Sequence, residues 1–285
     1  MTTVTLVEMA PRDGLQNEKV QVPAAQKIRL IDLLSAAGFA RIEATGFVSP
    51  KWVPQMGDAA EVMAGITRRV DVRYAALTPN MRGFDAALAA QVDEVAIFAS
   101  ASETFSEKNI NCSIADSFDR FAPIMARANE VGMPVRGYVS CVTDCPYEGE
   151  VPPEAVVAVA ARLSQMGCFE VSLGDTIGKG QPERVAKMLS AVIEHVPATQ
   201  LAGHFHDTHG VALENIRVGL DHGLRVFDAA AGGLGGCPYA PGAAGNVATE
   251  AVVEMLHAAG YATGIDPEAL AHAAAFARSL RHPEG

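Results

Sequence analysis

Two histidines that stand two positions apart are the residues of this chain best suited to chemistry. His204 and His206 lie in a short segment, residues 202–210, that has the character of a strand. Side chains i and i+2 of a strand point to the same face, so both imidazoles would face one point. One divalent metal ion can accept two such nitrogens at about 2.0–2.2 Å. The alternative is a pair of core histidines that are hydrogen-bonded to neighbouring carbonyl groups.

A repeated alternation of short apolar runs and longer amphipathic stretches must position these side chains. The apolar runs are typical of strands, and the stretches between them have helical spacing. Strands are predicted over residues 5–9, 41–45, 72–77, 94–98, 135–141, 169–173, 201–206 and 226–230. Helices are predicted over residues 24–37, 59–66, 82–90, 113–131, 153–166, 182–195, 211–222, 246–259 and 267–281. The sequence therefore predicts an α/β fold, a (β/α)8 TIM barrel with an extra C-terminal helix.

We expect one domain that spans residues 1–285, because no linker or low-complexity tract interrupts the alternation. The alternative architecture is an open, doubly wound sheet. That architecture usually has fewer strands, and no Gly-x-Gly-x-x-Gly motif follows the first strand. The missing glycine motifs also argue against a phosphate-binding loop or a dinucleotide-binding protein.

Composition excludes several classes of function. The chain has 285 residues, a hydrophobic fraction of 49% and a net charge of −11, which argues against binding to nucleic acid or to an anionic membrane. Its apolar runs are too short for a membrane span. Five scattered cysteines argue against a disulfide framework. Since no leader pattern is visible at the start, we expect a cytoplasmic protein.

Polar residues follow the predicted strands, where barrels of this class place their catalytic groups. Asp13 follows the first strand, and with His204 and His206 it makes a set suited to Mg²⁺, Mn²⁺, Zn²⁺ or Fe²⁺. The amide oxygen of Asn246 is a possible fourth ligand. Taken alone, Asp13 is better explained as a turn-forming residue before a glycine. The presence of Arg12 beside it and of two histidines on one strand face favours metal binding by Asp13.

Two further charged residues have two interpretations each. Arg12 is a cation at a strand end that would stabilise an oxyanion, or it forms a salt bridge with Glu8 or Glu43. Glu43 either holds Arg12 and the ligands in place or belongs to a buried structural pair. The residue types do not distinguish these interpretations.

Cys237 lies in a loop, residues 232–242, that contains five glycines and two prolines. Such a loop can approach a substrate closely and can move. A thiol there is a candidate acid, base or nucleophile. Without further context the residue types favour the simpler interpretation, a small apolar residue in a tight turn.

Several of these segments closely resemble the 3-hydroxy-3-methylglutaryl-CoA lyase family, which belongs to the metal-dependent barrel lyases. The resemblance extends from about residue 4 to about residue 280. It is strongest in residues 11–18, 47–56, 172–178, 204–208 and 233–240. The Gly-Gly-Cys-Pro-Tyr-Ala loop is the most specific part. Arg-Asp-Gly together with His-x-His marks only a wider superfamily of metal-dependent lyases and synthases.

The resemblance implies an enzyme that cleaves (S)-3-hydroxy-3-methylglutaryl-CoA to acetyl-CoA and acetoacetate, in leucine catabolism and ketone-body formation. It implies that Mg²⁺ or Mn²⁺ is held by Asp13, His204, His206 and Asn246. The implied catalytic residues are Arg12, Asp13, Glu43, His204 and Cys237. The implied substrate-binding residues are Arg12, Gln16, Lys19 and Asp175. Arg12 would neutralise the thioester enolate, and Cys237 would act as acid or base.

Several points stay open beside this resemblance. A lyase for a related branched substrate, such as 3-hydroxy-3-isohexenylglutaryl-CoA, would have the same metal core. A non-catalytic barrel is disfavoured because the whole set of site residues is present. Lys19 and Lys51 are candidates for a basic rim around CoA or are ordinary surface lysines. The family also suggests a homodimer. His209 stands where the family usually has Tyr, and the chain ends soon after the last predicted helix, without the C-terminal cysteine extension of the animal enzymes.

Overall fold

Eight parallel strands close into a barrel in the computed structural model of this chain, which describes residues 2–235 and 245–281. The strands are β1 (Thr5–Glu8), β2 (Arg41–Gly46), β3 (Arg73–Leu77), β4 (Glu94–Ser100), β5 (Val135–Ser140), β6 (Glu170–Asp175), β7 (Leu201–Phe205) and β8 (Val226–Ala229). Each strand pairs in parallel with the next one along the chain, and β8 pairs with β1. The predicted TIM barrel is confirmed.

Helices surround this barrel, and all nine predicted ones are present. They are α1 (Ala24–Ala36), α2 (Ala59–Gly65), α3 (Met81–Ala89), α5 (Ile114–Val131), α6 (Pro153–Gln165), α7 (Pro182–Ile193), α8 (Ala212–Asp221), α9 (Thr249–Ala258) and the extra C-terminal helix α10 (Pro267–Ser279). A further helix, α4 (Glu103–Ile110), was not predicted. It buries only Phe105 and Ser106, so its sequence has no apolar stripe that would reveal it. None of the helices that the structure describes is long and apolar enough to cross a membrane.

Apolar stripes hold the helices on the barrel. In α7 the buried residues are Val185, Met188, Leu189 and Val192, which follow the helical spacing and form one face. The strands under the helices are buried on both faces, as is usual in a barrel of parallel strands. The core therefore lies mainly between the strands and the helical ring.

The interior of the barrel is polar at its centre. Arg136 on β5 contacts Asp228 on β8, and Arg41 on β2 contacts Glu94 on β4 and Glu170 on β6. The two strands of each contacting pair are not neighbours in the sheet, so the side chains must meet inside the barrel. Charged groups thus occupy space that apolar side chains fill in many barrels of this class.

The segment before α9 differs from the prediction. A helix was predicted from Asn246, but α9 begins at Thr249. Residues 245–248 are extended instead, because they pair with the ends of β7 and β8. His206 forms a bridge with Asn246, and the amide of Asp207 donates to the carbonyl of Gly245 at 2.6 Å. This pairing brings Asn246 next to the end of β7.

Glu8 connects three segments at the end of β1. Its side chain is fully buried, and Oε1 accepts hydrogen bonds from the amides of Ala10 and Ala231, both at 2.9 Å. Oε2 accepts a hydrogen bond from Oγ1 of Thr249, also at 2.9 Å. Burial raises the pKa of Glu8 to about 7, and these hydrogen bonds only partly oppose the shift. Glu8 therefore favours its neutral form at mildly acidic pH.

We predict that Glu8→Gln removes a pH-dependent loss of stability. A carboxyl whose pKa is higher in the folded than in the unfolded protein stabilises the folded state. This contribution is complete below the unfolded pKa, 4.5, and is lost as the pH rises through about 7. Glutamine keeps an acceptor for the two amides and a donor for Thr249. Between pH 4.5 and 8 the unfolding free energy of the wild type should fall by about 3 kcal/mol relative to the variant. Urea unfolding at several pH values measures this difference, and parallel pH curves would contradict the prediction.

Candidate active site

The carboxylate and the two imidazoles of the predicted metal set meet at one end of the barrel. Asp13 lies in a π-helical turn, Ala10–Gly14, directly after β1. His204 is on β7, and His206 follows the strand. One ligand atom from each residue lies within 4.8 Å of the others. Nε2 of His204 is 3.3 Å from Nε2 of His206 and 3.9 Å from Oδ2 of Asp13.

These three residues fit a divalent metal ion. Two nitrogens that each lie about 2.0–2.1 Å from one ion would be separated by a distance close to that between the two Nε2 atoms. Burial, and then the charge of His204, lower the pKa of His206 to about 4, so its ring is neutral at pH 7 as a ligand must be. Burial alone would raise the pKa of Asp13, but Arg12, His204, His206 and the hydrogen bond from Asn246 together outweigh burial and lower that pKa. Asp13, His204 and His206 therefore form a candidate metal site.

Asp228 orients the imidazole of His204. Oδ2 of Asp228 lies 3.1 Å from Nδ1 of His204, so the proton of the ring is directed to Nδ1 and Nε2 faces the site. Burial would lower the pKa of His204, but the hydrogen bond and charge of Asp228 raise it. Asp228 was not predicted as a site residue from the sequence. A charged residue inside the apolar run of β8 was the available signal.

The predicted fourth ligand, Asn246, contacts the same cluster. Its Nδ2 donates to Oδ2 of Asp13 at 2.8 Å and to the carbonyl of Leu234 at 3.3 Å. Binding of a metal ion by this residue would require Oδ1, which a half-turn of the amide group would present. Gly235 packs against the amide. A Cβ there would lie 2.7 Å from Nδ2, and the residue has φ of +99°, so glycine is required on both counts.

Arg12 is fixed beside the metal site. Its Nε donates to Oε1 of Glu43, and its Nη1 donates to Oδ1 of Asp13 at 2.6 Å. The hydroxyl of Tyr138 donates to Oε2 of Glu43 at 2.5 Å. Burial would lower the pKa of Arg12, but Glu43 and Asp13 raise it well above its usual value. Arg12 is thus a permanent cation, and its partner is Glu43 rather than Glu8.

The open question about Glu43 is answered by these contacts. Glu43 is buried and holds both Arg12 and Tyr138, and it reaches the metal ligand Asp13 only through Arg12. It is therefore both a buried ion-pair partner and a residue that supports the site. Tyr138 was not predicted as a site residue. It lies in a strand rich in apolar residues, where an aromatic side chain has the character of a core residue.

Asp175 lies outside this cluster. It is fully buried at the end of β6, where Oδ1 accepts from Oγ1 of Thr143 at 3.0 Å and Oδ2 accepts from the amide of Gly180 at 2.9 Å. Burial raises the pKa of Asp175. Oδ1 thus holds the segment after β5 and Oδ2 holds the loop after β6. A contact with substrate stays a prediction.

The remaining predicted residues lie near the mouth of the barrel or outside the described part of the chain. Gln16 is half-buried and Lys19 is exposed in the segment that follows the Asp13 turn. Lys51 is exposed and stacks over the ring of Trp52 at 5.7 Å. Cys237 lies outside the described residues.

A family model described as HMGL-like matches residues 3–276 of the chain. The chain belongs to this family. A relative from Pseudomonas aeruginosa is named 3-hydroxy-3-isohexenylglutaryl-CoA/hydroxy-methylglutaryl-CoA lyase, and it is 57% identical over 95% of this chain and 90% of its own length. The cytoplasmic 3-hydroxy-3-methylglutaryl-CoA lyase of Danio rerio is 59% identical over 92% of this chain and 78% of its own length.

Solved structures of HMG-CoA lyases have the same fold. The enzyme from Brucella melitensis is 60% identical and superposes with a TM-score of 0.98 over 99% of both chains. The enzyme from Acinetobacter baumannii, solved in complex with coenzyme A and 3-methylmalate, is 39% identical, with a TM-score of 0.93 over 98% of this chain and 91% of that one. The resemblance that the sequence motifs indicated is confirmed.

We predict that His206→Ala abolishes tight binding of divalent metal while the protein stays folded. The variant removes one of the two facing imidazoles and leaves the hydrogen bond between His204 and Asp228 intact. An EPR titration with Mn²⁺ measures the affinity. The affinity should fall at least about 100-fold, because the loss of a group that only supports a metal ligand already lowers it by about 10–100-fold. His209→Ala, an exposed histidine of the same loop, is the matched control and should bind as the wild type does. Equal affinities of the two variants would remove His206 from the site.

Proposed function

We propose that the protein is a divalent-metal-dependent hydroxymethylglutaryl-CoA lyase. It is a carbon–carbon lyase that cleaves (S)-3-hydroxy-3-methylglutaryl-CoA to acetyl-CoA and acetoacetate. The observation that carries the proposal is the meeting of Asp13, His204 and His206 with a fixed guanidinium, Arg12, one hydrogen bond away. Membership of the HMGL-like family supports it.

The reaction requires a base at the tertiary hydroxyl and a positive charge at the thioester. The hydroxyl loses its proton, the C2–C3 bond breaks, and C3 becomes the ketone carbon of acetoacetate. The electron pair of the broken bond passes into the thioester enolate, and a proton delivered to C2 completes acetyl-CoA. A metal ion bound by Asp13, His204, His206 and Asn246 would lower the pKa of the hydroxyl and orient it.

Arg12 supplies the positive charge at the thioester. Its guanidinium is buried and already held by Glu43 and Asp13, so it needs no reorganisation when negative charge develops on the enolate oxygen. Its raised pKa keeps it charged at neutral pH. His204 is proposed to act in catalysis by holding the metal ion, and Glu43 by holding Arg12.

Cys237 is the proposed proton donor or acceptor. The proposal rests on the family resemblance of the Gly-Gly-Cys-Pro-Tyr-Ala segment. Gly235, the last described residue before that segment, lies against Asn246 and against the Asp13 turn at Gly14. Cys237→Ser tests the role through the loss of turnover with unchanged Mn²⁺ affinity.

Mg²⁺ or Mn²⁺ is the proposed metal, because a carboxylate and an amide oxygen beside two imidazoles suit ions of this hardness. An acyl-CoA is the proposed partner, and the coenzyme A complex of the Acinetobacter baumannii enzyme supports this. Gln16, Lys19 and Asp175 stay predictions as substrate contacts. A homodimer and a cytoplasmic location are likewise proposals, as is the absence of nucleic-acid or membrane partners.

A second candidate substrate is 3-hydroxy-3-isohexenylglutaryl-CoA, because the Pseudomonas aeruginosa relative is named for both activities. Both esters present the same tertiary hydroxyl and thioester to Arg12 and the metal ligands. They differ only in the alkyl group on C3. A comparison of kcat/KM on the two esters decides between them.

We predict that the purified protein with Mg²⁺ produces acetyl-CoA and acetoacetate in equal amounts. Chelation with EDTA should abolish the reaction, since the hydroxyl is not acidic enough to lose its proton unaided. Excess Mg²⁺ or Mn²⁺ should restore it. A coupled assay for each product measures the yield, and full turnover in the chelated sample would contradict the proposed function.

We predict that Arg12→Gln lowers kcat by about 10²–10³-fold, the usual effect of removing a group that stabilises an oxyanion. The fall should appear at saturating substrate and metal, because the charge is needed as the enolate forms. Arg69→Gln, at a surface arginine, is the control and should leave kcat unchanged. A variant at position 12 with normal kcat would show that another group stabilises the enolate.

A further inference from the structure

A second buried arginine, Arg136, is the meeting point of the polar side chains that support the site. Its side chain on β5 is only 1% exposed. Nη2 and Nη1 donate to the two oxygens of Asp228 at 2.8 and 3.1 Å, and Nε donates to Oε1 of Glu170 at 2.7 Å. Nη1 also donates to the hydroxyl of Tyr138 at 2.8 Å. Arg136 itself bonds none of the metal ligands and does not bond Arg12.

Two paths of hydrogen bonds lead from Arg136 to the reacting groups. One passes through Asp228 to Nδ1 of His204. The other passes through the hydroxyl of Tyr138 to Glu43. Glu43 in turn holds Nε of Arg12. Asp228 is further fixed by Oγ of Ser172, which donates to Oδ2 at 2.9 Å.

We propose that Arg136 is a positioning residue that holds the imidazole of His204 and the guanidinium of Arg12 in one arrangement. The inference rests on the proposed function, since it assigns a role within that site. Arg136 would set the metal affinity through Asp228 and the stabilisation of the enolate through Tyr138 and Glu43. One side chain would thus align the imidazole that holds the metal and the guanidinium that stabilises the enolate.

Arginine suits this position for a geometric reason. Its planar guanidinium offers donors in fixed directions, so it can grip a carboxylate with two parallel bonds and still reach further partners. Lysine has one compact ammonium group and cannot reproduce the fork. The competing explanation is a purely structural ion pair, since buried charges need partners wherever they are. The two explanations differ in what Arg136→Lys should change.

The decisive experiment compares Arg136→Lys with Arg41→Lys. Arg41 is also buried inside the barrel and shares Glu170 with Arg136, but its other partner is Glu94 rather than a residue of either path. Arg136→Lys should weaken Mn²⁺ binding by about 10–100-fold in an EPR titration, as changes around metal ligands do. It should also lower kcat at saturating Mn²⁺ by at least about tenfold. Arg41→Lys should change both quantities less than about twofold.

Single variants separate the two paths. Asp228→Asn should weaken Mn²⁺ binding by about 10–100-fold, because it releases His204 from its fixed orientation. Tyr138→Phe removes only the hydroxyl and should lower kcat at saturating Mn²⁺ while Mn²⁺ affinity stays within about twofold. Arg136→Lys should show both effects, and a stability role alone would produce neither.

Four outcomes would overturn the inference. Wild-type Mn²⁺ affinity and kcat in Arg136→Lys would do so, and so would equal losses in Arg41→Lys. If Arg136→Lys does not fold, the double variant of Asp228 and Tyr138 decides. Effects on kcat that combine non-additively support coupling through Arg136, and additive effects contradict it. A wild type that neither binds Mn²⁺ nor cleaves the thioester would overturn the proposed function itself, and the inference with it.

Discussion

The site depends on the balance of charge inside the barrel. Three guanidinium groups and five carboxylates are joined there by ion pairs and by the hydroxyl of Tyr138, which leaves a formal charge of −2. The guanidinium groups belong to Arg12, Arg41 and Arg136, and the carboxylates to Asp13, Glu43, Glu94, Glu170 and Asp228. Charge in a protein interior is costly unless it is compensated. This count takes both histidines as neutral, and one divalent cation at Asp13 and the two histidines would then balance the charge. The charge of the barrel interior therefore fits a divalent ion at the candidate metal site.

The same network explains how the site residues keep different protonation states at a few ångströms from each other. His206 is kept neutral by burial and by the neighbouring charge of His204. Asp13 is kept ionised because Arg12, the two histidines and the hydrogen bond from Asn246 together outweigh the effect of burial. A neutral imidazole and an ionised carboxylate are the forms in which these groups bind metal. Since these states depend on named neighbours, a change at Arg12 alters the pKa of Asp13, and a change at His204 alters the pKa of His206.

Closure of the barrel turns distant segments into one site. The Asp13 turn follows β1, whereas His204 lies on β7 and His206 directly after it. Almost 200 residues therefore separate groups that lie within 4.8 Å of each other. Asn246 joins them because residues 245–248 pair with the ends of β7 and β8 instead of starting a helix. Glu8 stabilises this closing region through its bonds to Ala231 and Thr249. The stability of the closure and the geometry of the site therefore depend on the same end of the barrel.

The sequence by itself determined the architecture and the residues of the candidate metal site. The alternation of apolar runs and helical stretches was sufficient for the barrel, since periodicity is a local property of the chain. The spacing of His204 and His206 and the motif around Asp13 identified the metal set. The tertiary structure alone decided which groups hold these residues. Asp228 lies on β8, whereas Arg136 and Tyr138 lie on β5, and these residues meet across the barrel. A polar residue in an apolar strand does not reveal its partner. Whether Glu43 supports Arg12 and where Asn246 lies were decided in the same way, because pairing across the barrel depends on its closure and not on spacing along the chain.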